Sequence, residues 1–271
     1  MPTERVSVTY WGDEMSGAKG LLTIKRRIWA DCEIELLEPL RVGAGRDPES
    51  PIDLPVLRDS IGRPVIPGST LKGFFRSYLS RLLLAYRIAG GSSVEVDGIK
   101  VELKPCIDSI SEKRMDASKL EDLCVLDKVF GYSGRNISFS SLIKFTDAEP
   151  VSLVGTLKRT HVSLDRKRDA AERGMLTKVE AIKERAGDPT KYRFTIIYDE
   201  LGDPLFSDAN NAFMLLLTML NKGLEEFIGG WKSRGYGRAR IKLMKIRVAD
   251  VSDLLNGNIR EVNLGDIVPR R

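Results

Sequence analysis

The chain has 271 residues, 42% of them hydrophobic, which is enough material for one substantial core. It contains no run of about 18 uncharged apolar residues, the length that a membrane span requires, so we predict no membrane partner. Residues 1–13 lack an apolar signal segment, and we therefore expect a cytoplasmic protein. Cys32, Cys106 and Cys124 fit neither a zinc pattern nor a disulfide framework and are predicted to be thiols.

The net charge of +5 is matched by a single short stretch of the sequence. Residues 231–242 contain five basic side chains and no acidic one, namely Lys232, Arg234, Arg238, Arg240 and Lys242. A short surface of one sign attracts phosphates, so this stretch is predicted to bind a polyanion. A solvated basic hairpin is the alternative.

In chain order, alternating apolar residues first predict a strand over 28–37, which Pro39 ends. A short extended piece follows over 54–57. Ser69 is predicted to be the N-cap of a helix, because a stripe of apolar residues spaced for one helix face begins at Leu71. The glycine pair at 90–91 is expected to terminate this helix.

The later elements are interrupted by two polar stretches. Residues 92–123 are predicted to be an insertion, and a strand is expected over 137–145. The highly charged segment 158–190 is predicted to project from the core. A strand over 192–198 comes next, followed by a helix from Asp208 to the Gly229-Gly230 pair and a last strand over 238–248.

Without the insertions, the order of elements is strand, helix, strand, strand, helix, strand. This is the order of a ferredoxin-like domain, the fold that RNA-recognition motifs also have. We therefore predict an α+β protein with a ferredoxin-like (RRM-like) βαββαβ core, forming a single domain over residues 1–271.

Four segments between residues 40 and 240 carry a family resemblance. They are the glycine-containing loop at 40–45, the segment 52–59 leading into Pro-Val-Ile-Pro-Gly-Ser-Thr-Leu-Lys-Gly at 64–73, Val129-Phe-Gly131 followed by 138–147, and the glycine-rich loop at 229–240. Together they resemble the RAMP superfamily of CRISPR effector proteins. The second is similar to the segment that joins the catalytic loop to the first helix in backbone subunits of type III interference complexes.

The resemblance implies a subunit that binds CRISPR RNA, with target RNA and other CRISPR effector subunits as further partners. It also implies self-association head to tail along the guide, since a heterologous interface that does not close gives an open helical filament. Asp53 occupies the place of an aspartate that the family requires for endonucleolytic cleavage of target RNA.

The chemistry expected of Asp53 is that of a metal ligand. A carboxylate with an ordinary pKa of about 3.9 is a poor general base at neutral pH. A divalent ion, Mg²⁺ or Mn²⁺, would stabilise charge on the scissile phosphate while the 2′-hydroxyl of the RNA attacks. The alternative is that Asp53 only caps a turn, and Asp47 and Asp59 are neighbouring carboxylates.

The predicted RNA contacts lie in the glycine-rich loop, at the start of the first helix and in the charged projection. Glycines let backbone N–H groups approach a phosphate, and Trp231 or Tyr236 could stack on a base. At the helix start, the sequence alone favours a plain N-cap beside a solvated Lys/Arg pair, and the resemblance favours guide binding. The predicted residues are Ser69, Thr70, Lys72, Arg76, Lys158, Arg159, His161, Arg166, Arg168, Gly230, Lys232, Arg234, Gly235 and Gly237.

His161 is the only histidine and lies among basic residues that we expect to follow the RNA, with Leu164 or Met175 as a wedge between bases. Acid–base cleavage would need a second group, so a structural or RNA-contacting role is preferred. Three alternative functions stay open. They are a non-catalytic RNA-coating subunit, a stand-alone CRISPR RNA-processing endonuclease that uses His161, and a metabolic enzyme that binds phosphate with the glycine-rich loop.

Overall fold

The structure is a computed structural model that describes residues 23–45, 52–103, 117–165, 170–183 and 189–268, the side chains of 164–175 excepted. Its strands are β1 (Ile24–Leu36), β2 (Ser93–Val96), β3 (Ile99–Glu102), β4 (Tyr132–Ser133), β5 (Ser138–Phe139), β6 (Ile143–Phe145), β7 (Glu149–Pro150), β8 (Thr156–Asp165), β9 (Ala170–Ile182), β10 (Lys191–Leu201), β11 (Leu224–Phe227), β12 (Arg238–Asp250) and β13 (Arg260–Val262). Its helices are α1 (Gly68–Ile88), α2 (Val125–Phe130), α3 (Ser207–Lys222), α4 (Val251–Asn256) and α5 (Leu264–Ile267).

A large antiparallel sheet organises these elements into a mixed α/β fold. Its strands neighbour one another in the order β11-β12-β1-β10-β6, while β13 pairs with β12 and β7 pairs with β10. The central strand β1 pairs along most of its length with β10 on one side and β12 on the other, so that Cys32 faces Phe194 and Leu243. The sheet therefore holds β1 at the middle of the molecule.

One face of the sheet is covered by α1 and α3. Alternate residues of β1 from Ile28 to Leu36 are buried, as the predicted alternation requires. The Phe75 ring of α1 stacks on Phe145 with centroids 5.3 Å apart, and Phe213 of α3 stacks on Tyr198 at 4.1 Å. No helix in the described ranges combines the length and apolar character needed to cross a bilayer.

The other face of the sheet carries charged side chains that pair across the strands. Asp31 bonds Arg247 of β12 at 2.9 Å, and Glu33 contacts Lys191 of β10 at 2.8 Å. Acid and base therefore alternate on this surface and largely neutralise each other.

The start of α1 differs from the prediction. Ser69 lies inside the first turn, and Pro67 occupies the N-cap position without a side-chain bond to the helix. The Gly68 N–H donates instead to the Asp147 carboxylate at 2.7 Å. A distant acidic residue thus satisfies the helix terminus, which sequence spacing does not reveal.

The prediction that the second long helix runs from Asp208 to Gly229-Gly230 is wrong at its C-terminal end. Helix α3 stops at Lys222 because Gly223 adopts a φ of +86°, and the next four residues form the edge strand β11. The strand predicted over 137–145 is likewise two short strands, β5 and β6.

The two predicted additions to the core contain hairpins. Within 92–123, β2 and β3 pair and bury Ile99 and Val101, while residues 104–116 of this insertion lie outside the described residues. Within 158–190, β8 and β9 pair into a hairpin whose base is buried at Ile182. Cys32 is a free buried thiol, whereas Cys124 is disulfide-bonded, which corrects the expectation of three thiols.

The Asp199 carboxylate should make stability depend on pH. Burial alone would raise its pKa, but hydrogen bonds and charge from Arg27 and Lys144 outweigh burial and lower the pKa. Because the pKa is lower in the folded state, the stabilisation is present above the unfolded value of about 3.9 and is lost as pH falls further. Asp199→Asn should therefore lower the free energy of unfolding by about 2 kcal/mol at neutral pH, and by progressively less in acid.

Urea denaturation of both proteins from neutral pH into acid measures this difference. Glu261→Gln is the matched control, because Glu261 pairs with Lys245 but is 63% exposed, and its loss should stay below about 1 kcal/mol. Equal losses for the two variants at neutral pH would contradict the assignment.

Candidate nucleic-acid interface

The residues just after β1, 39–44, form a junction segment to which three other parts of the chain are bonded. Leu40 exchanges backbone hydrogen bonds with Ile182 of β9 at 3.0 and 2.8 Å. The Gly230 N–H donates to the Arg41 carbonyl at 2.9 Å. The Leu57 N–H donates to the Val42 carbonyl at 3.0 Å. The junction segment thus joins the β8–β9 hairpin, the glycine-rich loop and the loop that carries Asp53.

The glycines of the glycine-rich loop are required by this packing. A Cβ atom at Gly229, where φ is +76°, would lie 2.3 Å from the Arg41 carbonyl oxygen. One at Gly237, where φ is +90°, would lie 2.0 Å from the Ile228 carbonyl oxygen. Both φ values lie in the left-handed region that favours glycine.

The role predicted for the backbone of Gly230 and Gly237 needs correction. Their N–H groups do not face a phosphate, because they donate to the carbonyls of Arg41 and Pro39, the latter at 2.8 Å. Gly235 is exposed and ends a short 3₁₀ helix over Lys232–Arg234. The loop therefore contributes side-chain charge to the interface more than free amides.

A groove of about 530 Å³ lies between the start of α1 and the glycine-rich loop. Thr70, Phe74 and Ser77 line it from α1, while Arg41, Gly230 and Lys232 line it from the junction segment and the loop. The Nζ atom of Lys232 lies 5.7 Å from the centroid of the Phe74 ring. Two stretches far apart in sequence thus meet along one concave surface.

Arg41 is a half-buried cation on the wall of the groove. Its Nε atom is buried and has no hydrogen-bond partner among the described residues. Burial lowers its pKa, although the guanidinium stays protonated at neutral pH. That Nε atom is out of reach of a ligand, but the same guanidinium lines the groove and can present its other N–H groups to a phosphate oxygen. On α1, burial and the neighbouring Arg76 charge lower the pKa of the half-buried Lys72.

Trp231 makes cation–π contacts with two arginines beside the groove. Its φ of +61° is uncommon for a residue with a side chain. The guanidinium of Arg234 lies 4.3 Å from the indole centroid and that of Arg41 lies 5.3 Å from it. Two guanidinium groups around one ring are held close to each other, which raises the local positive potential.

His161 connects the hairpin to the glycine-rich loop. Its Nε2 atom lies 2.8 Å from the Tyr236 hydroxyl, and its ring meets Trp231 edge-on with centroids 4.6 Å apart. Burial, then the charges of Arg234 and Arg159, lowers the pKa of His161. The ring is thus neutral at physiological pH, and its contacts favour the predicted structural role.

Tyr236 cannot stack on a base, because its side chain is completely buried. Trp231 stays a candidate for that contact. Lys158 and Arg159 are exposed on β8, with the Arg159 guanidinium 5.6 Å from the Tyr236 centroid. Arg166 and Arg168 lie outside the described residues, as do the side chains of Leu164 and Met175.

Arg76 has partners within the protein. It donates to the Gly131 carbonyl at 3.0 Å and to Asp127 at 2.6 Å, and thereby attaches α1 to α2. Of the three residues predicted before it, Ser69 is exposed, Thr70 lines the groove and Lys72 is half-buried.

The basic stretch 231–242 is less positive than its sequence suggests. Glu225 of β11 pairs with Arg238 at 2.6 Å and with Arg240 at 3.1 Å. Since β11 was predicted to be part of a helix, the pairing could not be foreseen. Of the three remaining bases, Lys242 lies on β12, whereas Lys232 and Arg234 lie in the loop, and the fold adds Arg41 beside them.

Asp53 lies exposed at the base of the hairpin. One of its carboxylate oxygens accepts the Lys178 N–H at 2.7 Å, and the neighbouring Leu54 forms a bridge with Val179 of β9. Asp59, by contrast, accepts bonds from Ile61 and Arg63 and closes its own turn. Asp47 lies outside the described residues.

A metal at Asp53 would depend on ligands from the substrate. Within the described ranges, no group of three His, Cys, Asp or Glu side chains could hold an ion. Mg²⁺, however, is often bound by one or two carboxylates together with substrate phosphates. A single exposed carboxylate fits that mode and does not fit a closed protein site.

Sequence reasoning missed two residues of this region. Arg41 carried a signal, since it is the basic residue of the glycine-containing loop at 40–45. Nothing in the sequence distinguished Glu180, because it is one of several acidic residues in the highly charged segment 158–190. In the fold it is buried and receives a bond from Arg58 at 2.6 Å.

The antiparallel sheet and the basic groove define a mixed α/β protein with a site suited to phosphate groups. The chain belongs to the RAMP superfamily, whose family model matches residues 33–240. It is 24% identical over 236 residues to the CRISPR system Cms endoribonuclease Csm3 of Methanocaldococcus jannaschii, covering 83% of this chain and 82% of that protein.

Solved structures share the fold. A chain of the type III-B Cmr-beta complex bound to cognate target RNA aligns with a TM-score of 0.53 at 14% identity, covering 79% of this chain and 96% of that one. A chain of the apo state of Cmr-beta gives a TM-score of 0.52 at 15% identity, with coverages of 80% and 97%.

Replacing Gly237 with alanine should destabilise the glycine-rich loop. The added Cβ would press on the Ile228 carbonyl, and the φ of +90° would be strained, so we expect a loss of about 3 kcal/mol. Thermal or urea unfolding measures the loss. Gly265→Ala in α5 is the control, because no atom lies within 4 Å of its Cβ position. Similar stability of the two variants would show that the close approach is not a real constraint.

Proposed function

We propose that this chain is a backbone subunit of a type III CRISPR effector complex, which binds CRISPR RNA in the groove and cleaves target RNA through Asp53. The observation that carries the proposal is the meeting of α1, Arg41 and Lys232 around one concavity. Support also comes from the RAMP family match and from the relative named as a Csm3 endoribonuclease.

The grip on the guide would be made mainly by side chains. Arg41 offers a planar guanidinium that lines the groove, and Lys232 offers a point charge from the glycine-rich loop. Thr70 can donate its hydroxyl from the α1 side of the groove. The Asp147 carboxylate already takes the Gly68 N–H, so the helix terminus itself contributes less than the sequence suggested.

The exposed charges of β8 would extend this surface along the hairpin. Lys158 and Arg159 are exposed, and Arg159 and Arg234 both lie near the ring pair of Trp231 and Tyr236. We place bound RNA across the groove and against this face of the hairpin. Arg76 does not enter this assignment, because it bonds α2.

Cleavage would use the RNA's own 2′-hydroxyl as the nucleophile. A divalent ion, Mg²⁺ or Mn²⁺, would stabilise charge on the scissile phosphate when bound. Asp53 would hold that ion through an exposed carboxylate whose direction is fixed by the Lys178 N–H. The Nε2 atom of His161 is engaged with the Tyr236 hydroxyl, so this proposal does not use His161 as the base of a metal-independent reaction.

We further infer a ferredoxin-like core. The four strands that alternate with the two long helices, β1, β6, β10 and β12, lie in the order β12-β1-β10-β6 and pair antiparallel. This arrangement follows from two split βαβ units joined by β6 and β10. The paired charges on the open face make that face a poor RNA platform, so RNA is placed at the groove instead.

The assembly proposed is an open head-to-tail filament along the guide, together with other effector subunits in the cytoplasm. Each copy would then present its Asp53 to the paired target at a regular interval. The glycine-rich loop and the loop that carries Asp53 are both hydrogen-bonded to the junction segment, which supports one fixed distance between the guide-binding groove and the cleavage site.

Lys232→Ala should weaken RNA binding and its dependence on salt. Losing one phosphate contact should make the slope of log affinity against log salt shallower by about 0.7. Filter binding of a single-stranded RNA at several salt concentrations measures this slope. Lys245→Ala is the matched control, since Lys245 pairs with Glu261 on the open sheet face. An unchanged slope in the Lys232 variant would remove this residue from the interface.

Asp53→Ala should abolish cleavage of target RNA by the assembled complex while leaving assembly and RNA binding intact. The exposed side chain makes no buried contact, so the fold should tolerate its loss. Gel analysis of cut target in the presence of Mg²⁺ or Mn²⁺ measures the effect. Asp59→Ala, which removes a turn-closing carboxylate nearby, is the control expected to keep cleavage. Undiminished cutting by the Asp53 variant would favour the non-catalytic RNA-coating subunit.

A further inference from the structure

The loop that carries Asp53 is bonded to the hairpin by a buried carboxylate. Glu180 of β9 is 4% exposed, which is unusual for an acidic residue. Its Oε1 atom accepts bonds from the Thr156 hydroxyl at 2.7 Å and from Arg58 at 2.6 Å. Its Oε2 atom accepts the Val56 N–H at 3.1 Å. One side chain therefore binds the Asp53 loop twice and the base of β8 once.

These contacts continue directly to Asp53. The Glu180 N–H donates to the Leu54 carbonyl at 3.0 Å, and the Leu54 N–H donates to the Lys178 carbonyl at 3.2 Å. The Lys178 N–H donates in turn to Asp53. The backbone of the loop that carries Asp53 is thus paired with β9. The side chain of Glu180, two residues after Lys178, adds further bonds to the same loop.

Glu180 stays ionised in this environment. Burial alone would raise its pKa, but the bonds from Thr156 and the Val56 N–H and the charge and bond of Arg58 outweigh burial and lower the pKa. Replacing a buried ion pair with apolar residues often leaves stability unchanged, so stability alone does not explain such a group. A directional set of three donors is better suited to holding one loop conformation.

We infer that Glu180 is a positioning residue for Asp53, which ties the loop to the hairpin through Val56 and Arg58, while the Thr156 hydroxyl of β8 holds the Glu180 carboxylate in place. It does not touch the RNA itself, because its side chain is enclosed by these partners. The inference rests on the proposed function, since it assigns Glu180 to the same cleavage site. A displacement of about 1 Å at a reacting group can reduce a rate about 100-fold, so the effect is measurable.

The test uses assembled complexes with Glu180→Ala, Asp53→Ala and the double variant, together with labelled target RNA. The Glu180 variant should cleave about 10- to 100-fold more slowly at saturating target, with the half-saturating target concentration unchanged. Any residual cleavage by Asp53→Ala should be no slower in the double variant, because a residue that acts through Asp53 has no effect in its absence.

Two further variants separate positioning from general destabilisation. Glu200→Ala removes another buried, ion-paired carboxylate, bonded to Arg26 near the opposite end of β1, and should cost stability without slowing cleavage. Thr156→Val removes only the anchor to β8 and should slow cleavage several-fold in a complex that assembles normally. If Glu180→Ala fails to assemble, the rate of the Thr156 variant decides the question.

The outcomes are distinct. If Asp53→Ala cleaves normally, the proposed cleavage falls and this inference falls with it. If Asp53→Ala is inactive while Glu180→Ala and Thr156→Val cleave at the normal rate, only the positioning role is overturned. If Glu180→Ala weakens RNA binding in proportion to its loss of cleavage, Glu180 maintains the groove and the positioning role is again overturned.

Discussion

The whole site depends on the backbone of six residues after the central strand. Residues 39–44 bond β9, the glycine-rich loop and the Asp53 loop at once, using carbonyl and amide groups that the end of β1 leaves unpaired. Buried backbone groups need partners, and here the partners belong to the functional loops. Hydrogen bonding of these backbone groups, which every fold requires, therefore also brings the groove and the loop that carries Asp53 together.

The distribution of charge follows from the same arrangement. On the open face of the sheet, acids and bases of neighbouring strands neutralise one another, as Asp31 and Arg247 illustrate. At the groove, Arg41 of the junction segment and Lys232 of the glycine-rich loop come together, and none of the described residues that line the groove is acidic. Trp231 keeps Arg41 and Arg234 near each other, so mutual repulsion of the two cations is offset by their contacts with the ring.

Much of the fold around the site was predictable, because it depends on patterns of residues close together in sequence. The alternation in β1, the apolar stripe of α1 and the exposed loop position of Asp53 all follow from sequence periodicity and from the family motifs. The helix start and the glycine-rich loop, each predicted to contact RNA, meet in the groove that Thr70 and Lys232 share.

What could not be predicted depends on partners distant in sequence. Arg76 of α1 bonds Asp127 of α2. Glu225 neutralises Arg238 from the edge strand β11, which the apolar pattern of the sequence had assigned to a helix. Tyr236 looked like a stacking residue in its glycine-rich context, yet the fold buries it completely. In each case the chemical character of the side chain is evident from the sequence, but its contacts depend on the tertiary structure.

The bond between His161 and Tyr236 has an evolutionary consequence. It joins two segments 75 residues apart, so neither side chain can drift independently without leaving a polar atom unmatched beside the other. Among homologous chains, a phenylalanine in place of the tyrosine should therefore accompany an apolar residue in place of the histidine. Paired substitution at positions 161 and 236 would indicate that the hairpin and the glycine-rich loop have evolved together.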